Sequence, residues 1–431
     1  MPGVAGKSGE RRKICGASAA LVKILFCSQH FWPENFPTND LAQALVERGL
    51  EVDVLTGKPN YPQGRYYPGY RGLGCRVESW SGAGVFRVPL AARGNGSAMR
   101  MVFNYLSFIL SGTICAPWLL RGREYSVIFV YGSSPILQAL PAILLGRLKR
   151  CPVVIWVQDL WPESLEATGY VRNPRILRAV ARVVRFIYRR ADLLLVQSHA
   201  FESAVSRLSG GTPIAYYPNS VDAAFCSAGG SATPEVPALT TGFPVVFAGN
   251  IGAAQAMEVI VEAAALLQGY PEIRFVLVGD GVRREWLQRE VSARRLRNVS
   301  LPGSFPVSAM PALLHQAEAL LVTLVDHPAL HATVPSKVQT YMAIGRPIVA
   351  SLNGEGARLV RESAAGLAVP AGDAVALSEA ILRLYRMSPA ERQSLGANAF
   401  RYFEQHFERD RLLDRLLKHF RMVVTTARDG A

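Results

Sequence analysis

Short apolar runs separated by helical stretches set the rhythm of this chain. In its first half they are Val22-Lys23-Ile24-Leu25-Phe26-Cys27, Val52-Asp53-Val54-Leu55, Val85 to Val88, Val127 to Val130, Val153 to Val157 and Leu193 to Val196. Runs this apolar, with little polar alternation, belong to strands buried on both faces, and helices between them make the sheet parallel. From Cys226 to Gly242 the composition turns to Gly, Ser, Thr, Ala and Pro, as a linker requires. The rhythm then restarts with Val245 to Ala248, Arg274 to Val278, Leu320 to Thr323 and Ile348 to Ala350, and a helical region from about Pro389 to Val423 closes the chain. The expected class is α/β, with two tandem doubly wound parallel sheets of Rossmann type and a cleft between them. Each sheet presents its ligand edge at the carboxyl ends of its strands. The expected boundaries are a flexible tail over 1–20, a first domain over 21–225, a linker over 226–242, a second domain over 243–395 and a closing helix and tail over 396–431.

Two helical stretches break the usual apolar-in, polar-out pattern. Met101 to Leu120 carries no charge, lies between Arg100 and Arg121, and is long enough to cross a bilayer. Asn104, Ser107, Ser111, Thr113 and Pro117 interrupt it, and one crossing would put the strands at Val85–Val88 and Val127–Val130 on opposite sides of a membrane. The expectation is a buried helix, or one whose exposed side dips into the interface. From Arg172 to Arg190 there is no acidic residue, and Arg175, Arg178, Arg182, Arg185 and Arg189 recur every three or four positions among Ile176, Leu177, Val180, Val183, Val184 and Ile187. That pattern fits a helix lying on anionic headgroups or the solvated outer face of a helix on the sheet.

Composition narrows the partners. The 431 residues suit two domains of about 200 each. Forty-seven Lys and Arg against thirty-three Asp and Glu leave a net +14, which calls for an anionic partner. No zinc module, helix-turn-helix signal or aromatic–basic interleaving points to nucleic acid. The six cysteines, Cys15, Cys27, Cys75, Cys115, Cys151 and Cys226, have no metal-ligand spacing and read as reduced thiols in a cytosolic protein. The segment around Arg11-Arg12-Lys13 reads as a tail rather than a signal peptide.

The chemistry concentrates at strand ends. Val334-Pro335-Ser336-Lys337-Val338-Gln339-Thr340-Tyr341-Met342-Ala343-Ile344-Gly345-Arg346-Pro347-Ile348-Val349-Ala350-Ser351 joins a turn, a short helix, a Gly stop and a strand. Ser336 can cap the helix, and Lys337 adds a cation where free N–H groups already favour an anion. Gly249-Asn250-Ile251-Gly252 and Gly279-Asp280-Gly281 each follow a strand and let backbone approach a ligand. The G-x-G-x-x-G and P-loop patterns are missing from the first strand–helix turn, which argues against a dehydrogenase or an NTPase. Lys337 is the first candidate cation for a phosphate there, with Arg283 or Arg284 second.

The run from Val334 to Ser351 resembles the P-S-K-x-x-E-Y-M-A-x-G-x-P stretch of the retaining, nucleotide-sugar-dependent GT-B glycosyltransferases known as family 4 or group 1. Phe247 to Gly252, Val278 to Gly281 and Tyr217 to Asp222 match in order. The resemblance implies an acceptor-binding first domain, a nucleotide-sugar-binding second domain and a C-terminal helix crossing back. It gives Ser336, Lys337 and Thr340 the diphosphate and ribose, places Gly249, Asn250, Gly252, Gln255, Asp280, Gly281 and Arg283 around the donor, and implies neither metal nor cofactor beyond the UDP-sugar. The chain departs from that family where its paired glutamates fall on Ala332 and Thr340, and where its Arg and Lys after the first strand fall on Asn250 and Gln255. Glu355 is a substitute contact on the next strand–helix loop, or a cap of the following helix.

Gln29-His30-Phe31-Trp32-Pro33-Glu34-Asn35, Gly57 to Pro62, Gln158-Asp159-Leu160-Trp161-Pro162-Glu163-Ser164 and Asn353 to Ala357 resemble a narrower subgroup, the bacterial O-antigen, capsule and N-acetyl-L-fucosamine transferases. This implies UDP-N-acetyl-L-fucosamine or another N-acetylated hexosamine donor, a polyprenyl-diphosphate-linked saccharide acceptor, and a cytoplasmic enzyme resting on the inner face of the cell membrane. Asp159 and Glu163 are the candidate carboxylates for the acceptor hydroxyl or the oxocarbenium-like transition state. His30, Trp32 and Trp161 are candidate acceptor contacts, each equally readable as structural. A sugar-nucleotide 2-epimerase of the same architecture and a catalytically silent partner subunit are the alternatives.

Overall fold

In the computed structural model, which describes residues 23–94, 97–167, 171, 173–221, 223–225 and 235–429, the apolar runs form two separate sheets. The first has the order β3-β4-β2-β1-β5-β6-β7-β8, with β1 Lys23–Cys27, β2 Glu51–Gly57, β3 Arg76–Trp80, β4 Ala83–Val88, β5 Val127–Gly132, β6 Val153–Val157, β7 Leu193–Val196 and β8 Ile214–Tyr216. Only β3 runs antiparallel, against β4. The second sheet has the order β11-β10-β9-β12-β13-β14 and is parallel throughout. Its strands are β9 Phe243–Ala248, β10 Ile273–Val278, β11 Val299–Gly303, β12 Ala319–Thr323, β13 Ile348–Ser351 and β14 Gly366–Val369.

Every strand expected from the sequence is present, and the four that were not expected, β3, β8, β11 and β14, are the four sheet edges. Their residues are mostly half-buried or exposed, whereas β5, β6, β9 and β12 are buried along their whole length. An edge strand has less to bury, so its sequence lacks the continuous apolar run by which a central one is recognised.

Helices cover the two faces of the first sheet differently. Ala98–Leu119, Ala139–Lys149, Pro174–Tyr188 and Ala200–Ser209 pack on one face through Phe108, Ala116, Ala142, Leu145, Val184, Ile187 and Phe201. Pro37–Glu47 and the last helix, Arg409–Asp429, cover the other, the latter through Leu412, Leu413, Leu416, Phe420 and Val424. The crossing back falls later than the expected 396. Helix Pro389–His406 remains on the second domain through Ala399 and Phe403, and the chain passes over after Phe407, which is buried in that same core. Of the expected linker, Val236 and Leu239 are already seated in the second core, and residues 226–234 lie outside the described residues, as do the expected tail and Cys15. Cys27, Cys75, Cys115 and Cys151 are free thiols.

Candidate active site

Three strand ends and one helix start enclose a cavity of about 570 Å³ in the second domain. Gly249 and Asn250 follow β9, Gly279 and Asp280 follow β10, Ser304 and Phe305 follow β11, and helix Ser336–Ile344 supplies Ser336, Lys337, Thr340 and Tyr341. Gly279 sits at φ 138°, and a Cβ there would lie 1.9 Å from the carbonyl oxygen of Gly249, so the two strand ends pass in direct backbone contact. Gly249 has φ 131°, and a Cβ on it would stand 2.9 Å from Cε of Lys337. The glycines therefore leave the space into which the lysine reaches.

Lys337 Nζ donates to Gln255 Oε1 at 2.6 Å and lies 4.8 Å from the Phe247 ring centroid. Burial pushes its pKa down to about 8. An amide orients the ammonium without neutralising it, so the charge is left for a ligand. Ser336 was expected to cap the helix, yet the cap position belongs to Pro335, which offers no side-chain acceptor, and Ser336 is the first helical residue. The first N–H groups of the helix are thereby uncapped by any side chain, which makes that end an anion site next to a cation. Tyr341 pins the helix to β9, its hydroxyl accepting the Ala248 N–H at 2.9 Å.

The predicted donor-site residues divide into three groups. Gly249, Asn250, Asp280, Ser336, Lys337 and Thr340 line the cavity. Gln255, Gly252 and Gly281 act from behind it: Gln255 through Lys337, Gly252 by leaving room for the Asn250 amide, and Gly281 by packing on the Ile251 carbonyl. Arg283 and Glu355 are corrections. Arg283 pairs with Glu258 and lies over the Trp286 ring at 4.1 Å, so it is committed elsewhere; Arg284, donating to the Gly279 carbonyl at 3.3 Å, is the arginine at this edge. Glu355 is 7% exposed, grips Arg358 through both oxygens at 2.7 and 3.0 Å, and belongs to the first turn of its helix rather than to the cavity.

On the first domain Asp159 follows β6, and its Oδ2 accepts the Ser134 N–H at 3.0 Å. With Glu163 it lines a cavity of about 580 Å³ between the domains, facing His327, Pro328, Ala332 and Thr333. Asp159 and Glu163 are thus brought together, but Lys337 lies in the second-domain cavity, on the other side of the Thr333–Ser336 segment. A chain of amides ties the halves to each other. Gln197 donates to the Gln158 carbonyl at 2.7 Å, Asn219 to Gln197 Oε1 at 3.0 Å, and Gln339, on the Lys337 helix, to the Asn219 carbonyl at 3.0 Å. Ser198 Oγ adds a bond to the Ala332 carbonyl at 2.6 Å.

The acceptor contacts need revision. His30 is 5% exposed, its Nδ1 is 3.0 Å from Glu34 Oε2, and its ring stacks on Phe36. Glu34 also accepts the N–H groups of Asn60 and Tyr61, both at 2.6 Å, so this pair staples the Gln29–Asn35 loop to the Gly57–Pro62 loop. Trp161 is likewise buried and donates to Ser134 Oγ at 3.0 Å, anchoring the Asp159 loop. Trp32, 37% exposed and stacked on Trp80 at 6.3 Å, still presents its ring to solvent. The sequence reading missed Phe225, Phe305, Val307, Met310, Leu314 and Tyr341, the apolar lining of the cavity. Ser304-Phe305-Pro306 was the available signal, hidden because β11 was not recognised as a strand. Among the described residues no cluster of three or more His, Cys, Asp or Glu could hold a metal ion.

Residues 242–387 match the family model for "Glycosyl transferases group 1", and residues 37–220 match that for "Glycosyl transferase 4-like domain". The chain carries the paired domains of a group 1 glycosyltransferase of GT-B fold. It is similar to the colanic acid biosynthesis glycosyl transferase WcaI of Escherichia coli (strain K12), 24% identical over 72% of this chain and 77% of that one. It is also similar to the 2-deoxystreptamine N-acetyl-D-glucosaminyltransferase of Streptomyces fradiae, 25% identical over 90% of each. An E. coli trehalose-6-phosphate structure bound with UDP-2-fluoro glucose shares the fold at a TM-score of 0.68, with 13% identity, over 93% of this chain and 99% of that one.

Proposed function

We infer that this glycosyltransferase moves an N-acetylated hexosamine, with N-acetyl-L-fucosamine as the first candidate, from its UDP derivative to a saccharide carried on a polyprenyl diphosphate, with retention of configuration, in the assembly of a surface polysaccharide. The observation that carries the reading is Lys337, an orienting amide its one hydrogen-bond partner among the described residues, held at a helix start with no side-chain cap against the Gly249–Gly279 backbone. As the bond from sugar C1 to the diphosphate breaks, negative charge grows on the leaving oxygens, and a fixed cation with N–H dipoles stabilises that charge more than it stabilises the ground state. The apolar wall at Phe305, Met310 and Leu314 suits a flat base. Asp159, fixed by the Ser134 N–H, orients the acceptor hydroxyl. The hydroxyl oxygen bonds to C1 on the face the diphosphate leaves, and its proton passes to the departing phosphate oxygen.

In this reading Lys337 and the helix start take the diphosphate charge without a resident metal ion. The UDP-2-fluoro glucose of the structural neighbour and the N-acetyl-D-glucosaminyl activity named for the Streptomyces relative support the donor class, and the colanic acid name supports the polysaccharide role. The arginine face of Pro174–Tyr188 supports a cytoplasmic enzyme resting on anionic lipid. The test is transfer of radiolabelled sugar from a panel of UDP-N-acetylhexosamines into the organic phase of a polyprenyl-diphosphate saccharide assay. Label entering the lipid with wild type and not with Lys337→Ala is expected. Release of free UDP-sugar epimer without lipid labelling would replace this reading with the epimerase one.

A further inference from the structure

The helix Ala98–Leu119 turns an apolar face outward that nothing among the described residues covers. Asn104, Phe108, Gly112, Ala116 and Leu120 recur every fourth position and are buried. On the opposite side Val102, Phe103, Leu106, Leu110, Ile114 and Trp118 are between 53% and 79% exposed. Between Arg100 and Arg121 there is no charged residue to break this stripe, which from Val102 to Trp118 runs about 25 Å. An exposed apolar surface of that extent on a water-soluble domain marks a docking site.

We propose that this helix lies in the plane of an anionic bilayer, its exposed stripe sunk to the level of the acyl chains and the arginines of Pro174–Tyr188 at the headgroups beside it. Three observations select lipid as the occupant. The helix cannot cross a membrane, because its buried side is part of the core of the sheet, and β4 before it and β5 after it belong to that one sheet. Helix Pro174–Tyr188 packs on the same face of the sheet, so both exposed sides look outward from one side of the domain. Its Arg175, Arg178, Arg182 and Arg185 are exposed and have no carboxylate partner among the described residues, while Ile176 and Phe186, 50% and 43% exposed, continue the apolar surface between them. A second copy of this chain placed face to face would press these arginines together; an anionic lipid surface neutralises them.

The placement also gives the surface a purpose, which rests on the lipid-linked acceptor reading. Asn104, about two turns into the helix, accepts from Gln29 Nε2 at 2.7 Å and donates to the Ala91 carbonyl at 2.6 Å, so the N-terminal half of the helix is tied to the loop carrying Trp32. A saccharide whose diphosphate stays at the headgroups would meet the cleft at that rim.

The experiment combines vesicle sedimentation with tryptophan emission. Wild type, F103E/L110E/W118E and R178S/R182S/R185S are sedimented with vesicles of phosphatidylcholine plus phosphatidylglycerol and with phosphatidylcholine alone. All the substituted side chains are exposed, and melting curves check that each variant is folded. Wild type should pellet with the mixed vesicles. The glutamate variant should stay in the supernatant at every salt concentration, and the serine variant should pellet less than wild type at low salt, the difference closing as salt is raised. Trp118 emission should shift to the blue on vesicle addition, and Trp118→Phe should abolish that shift while still pelleting. Sedimentation of the glutamate variant like wild type, or unchanged Trp118 emission, overturns the proposal. So does a wild-type dimer in light scattering that only the glutamate variant dissociates, since the face is then an interface between copies. Transfer to a detergent-dispersed acceptor is read separately. Its absence in wild type that pellets normally sinks the proposed function and leaves the docking surface, and the reverse pattern sinks the docking alone.

Discussion

The two domains build their sides of the cleft from different materials. The second uses backbone and one cation: Gly249 and Gly279 in contact, an uncapped helix start, and Lys337 with no charged partner among the described residues. The first uses side chains that are largely spent on one another. Glu34 accepts three backbone N–H groups and pairs with His30, and Asp159 and Trp161 are both bonded to Ser134. Arg87, wholly buried, pairs with Glu78 at 2.5 Å and bonds the carbonyls of Gly57 and Trp32. A site of fixed dipoles and one unneutralised charge is ready for a diphosphate without reorganisation. A site whose polar groups are already paired holds loop shape, and leaves recognition to what projects from the loops.

This contrast ranks the effects of breaking it. Lys337→Ala should lower kcat by about a hundred- to a thousandfold with little change in melting temperature, because the lysine is spent on the ligand and not on the fold. Glu34→Ala should do the opposite: it strands the N–H groups of Asn60 and Tyr61 and should cost about 3 kcal/mol of stability. Its UDP affinity should match wild type, since the Lys337 cavity proposed to hold the nucleotide is in the other domain; equal losses in both readouts would erase the distinction between the halves. Smaller and graded is the effect of pH. Lys337 in the free protein titrates near pH 8, and a bound diphosphate favours its protonated form, so binding above that pH requires proton uptake. UDP affinity should therefore be level below pH 8 and fall by up to about tenfold per pH unit above it, a dependence that Lys337→Ala removes. Smallest is Trp32→Ala, expected to raise the acceptor KM about fivefold through loss of one stacking surface while leaving the donor KM unchanged.

What the sequence showed and hid follows the same physics. Central strands were legible because burial on both faces demands an unbroken apolar run, and the edges β3, β8, β11 and β14 were not, because partial exposure removes that demand. Missing β11 also hid Phe305, which is placed by the end of that strand. Lys337 stood out through the family run that carries it, because by spacing alone a lysine after a Pro-Ser turn reads equally as a solvated residue of an ordinary strand–helix connection. His30 and Trp161 were ambiguous for the reverse reason: their partners, Glu34 and Ser134, can be paired with them only once the loops are folded. Arg283 and Arg284 were indistinguishable as neighbours in sequence, and Glu258 and Trp286 decide which one turns away.

The most direct test of the nucleotide site is the melting temperature of wild type and Lys337→Ala with UDP, GDP, dTDP or ADP, since a ligand at a hundred times its Kd stabilises by about 2.7 kcal/mol. A rise with UDP alone, absent in the variant, is the result predicted. A rise of the same size in Lys337→Ala would contradict the assignment of the diphosphate to this lysine and helix start.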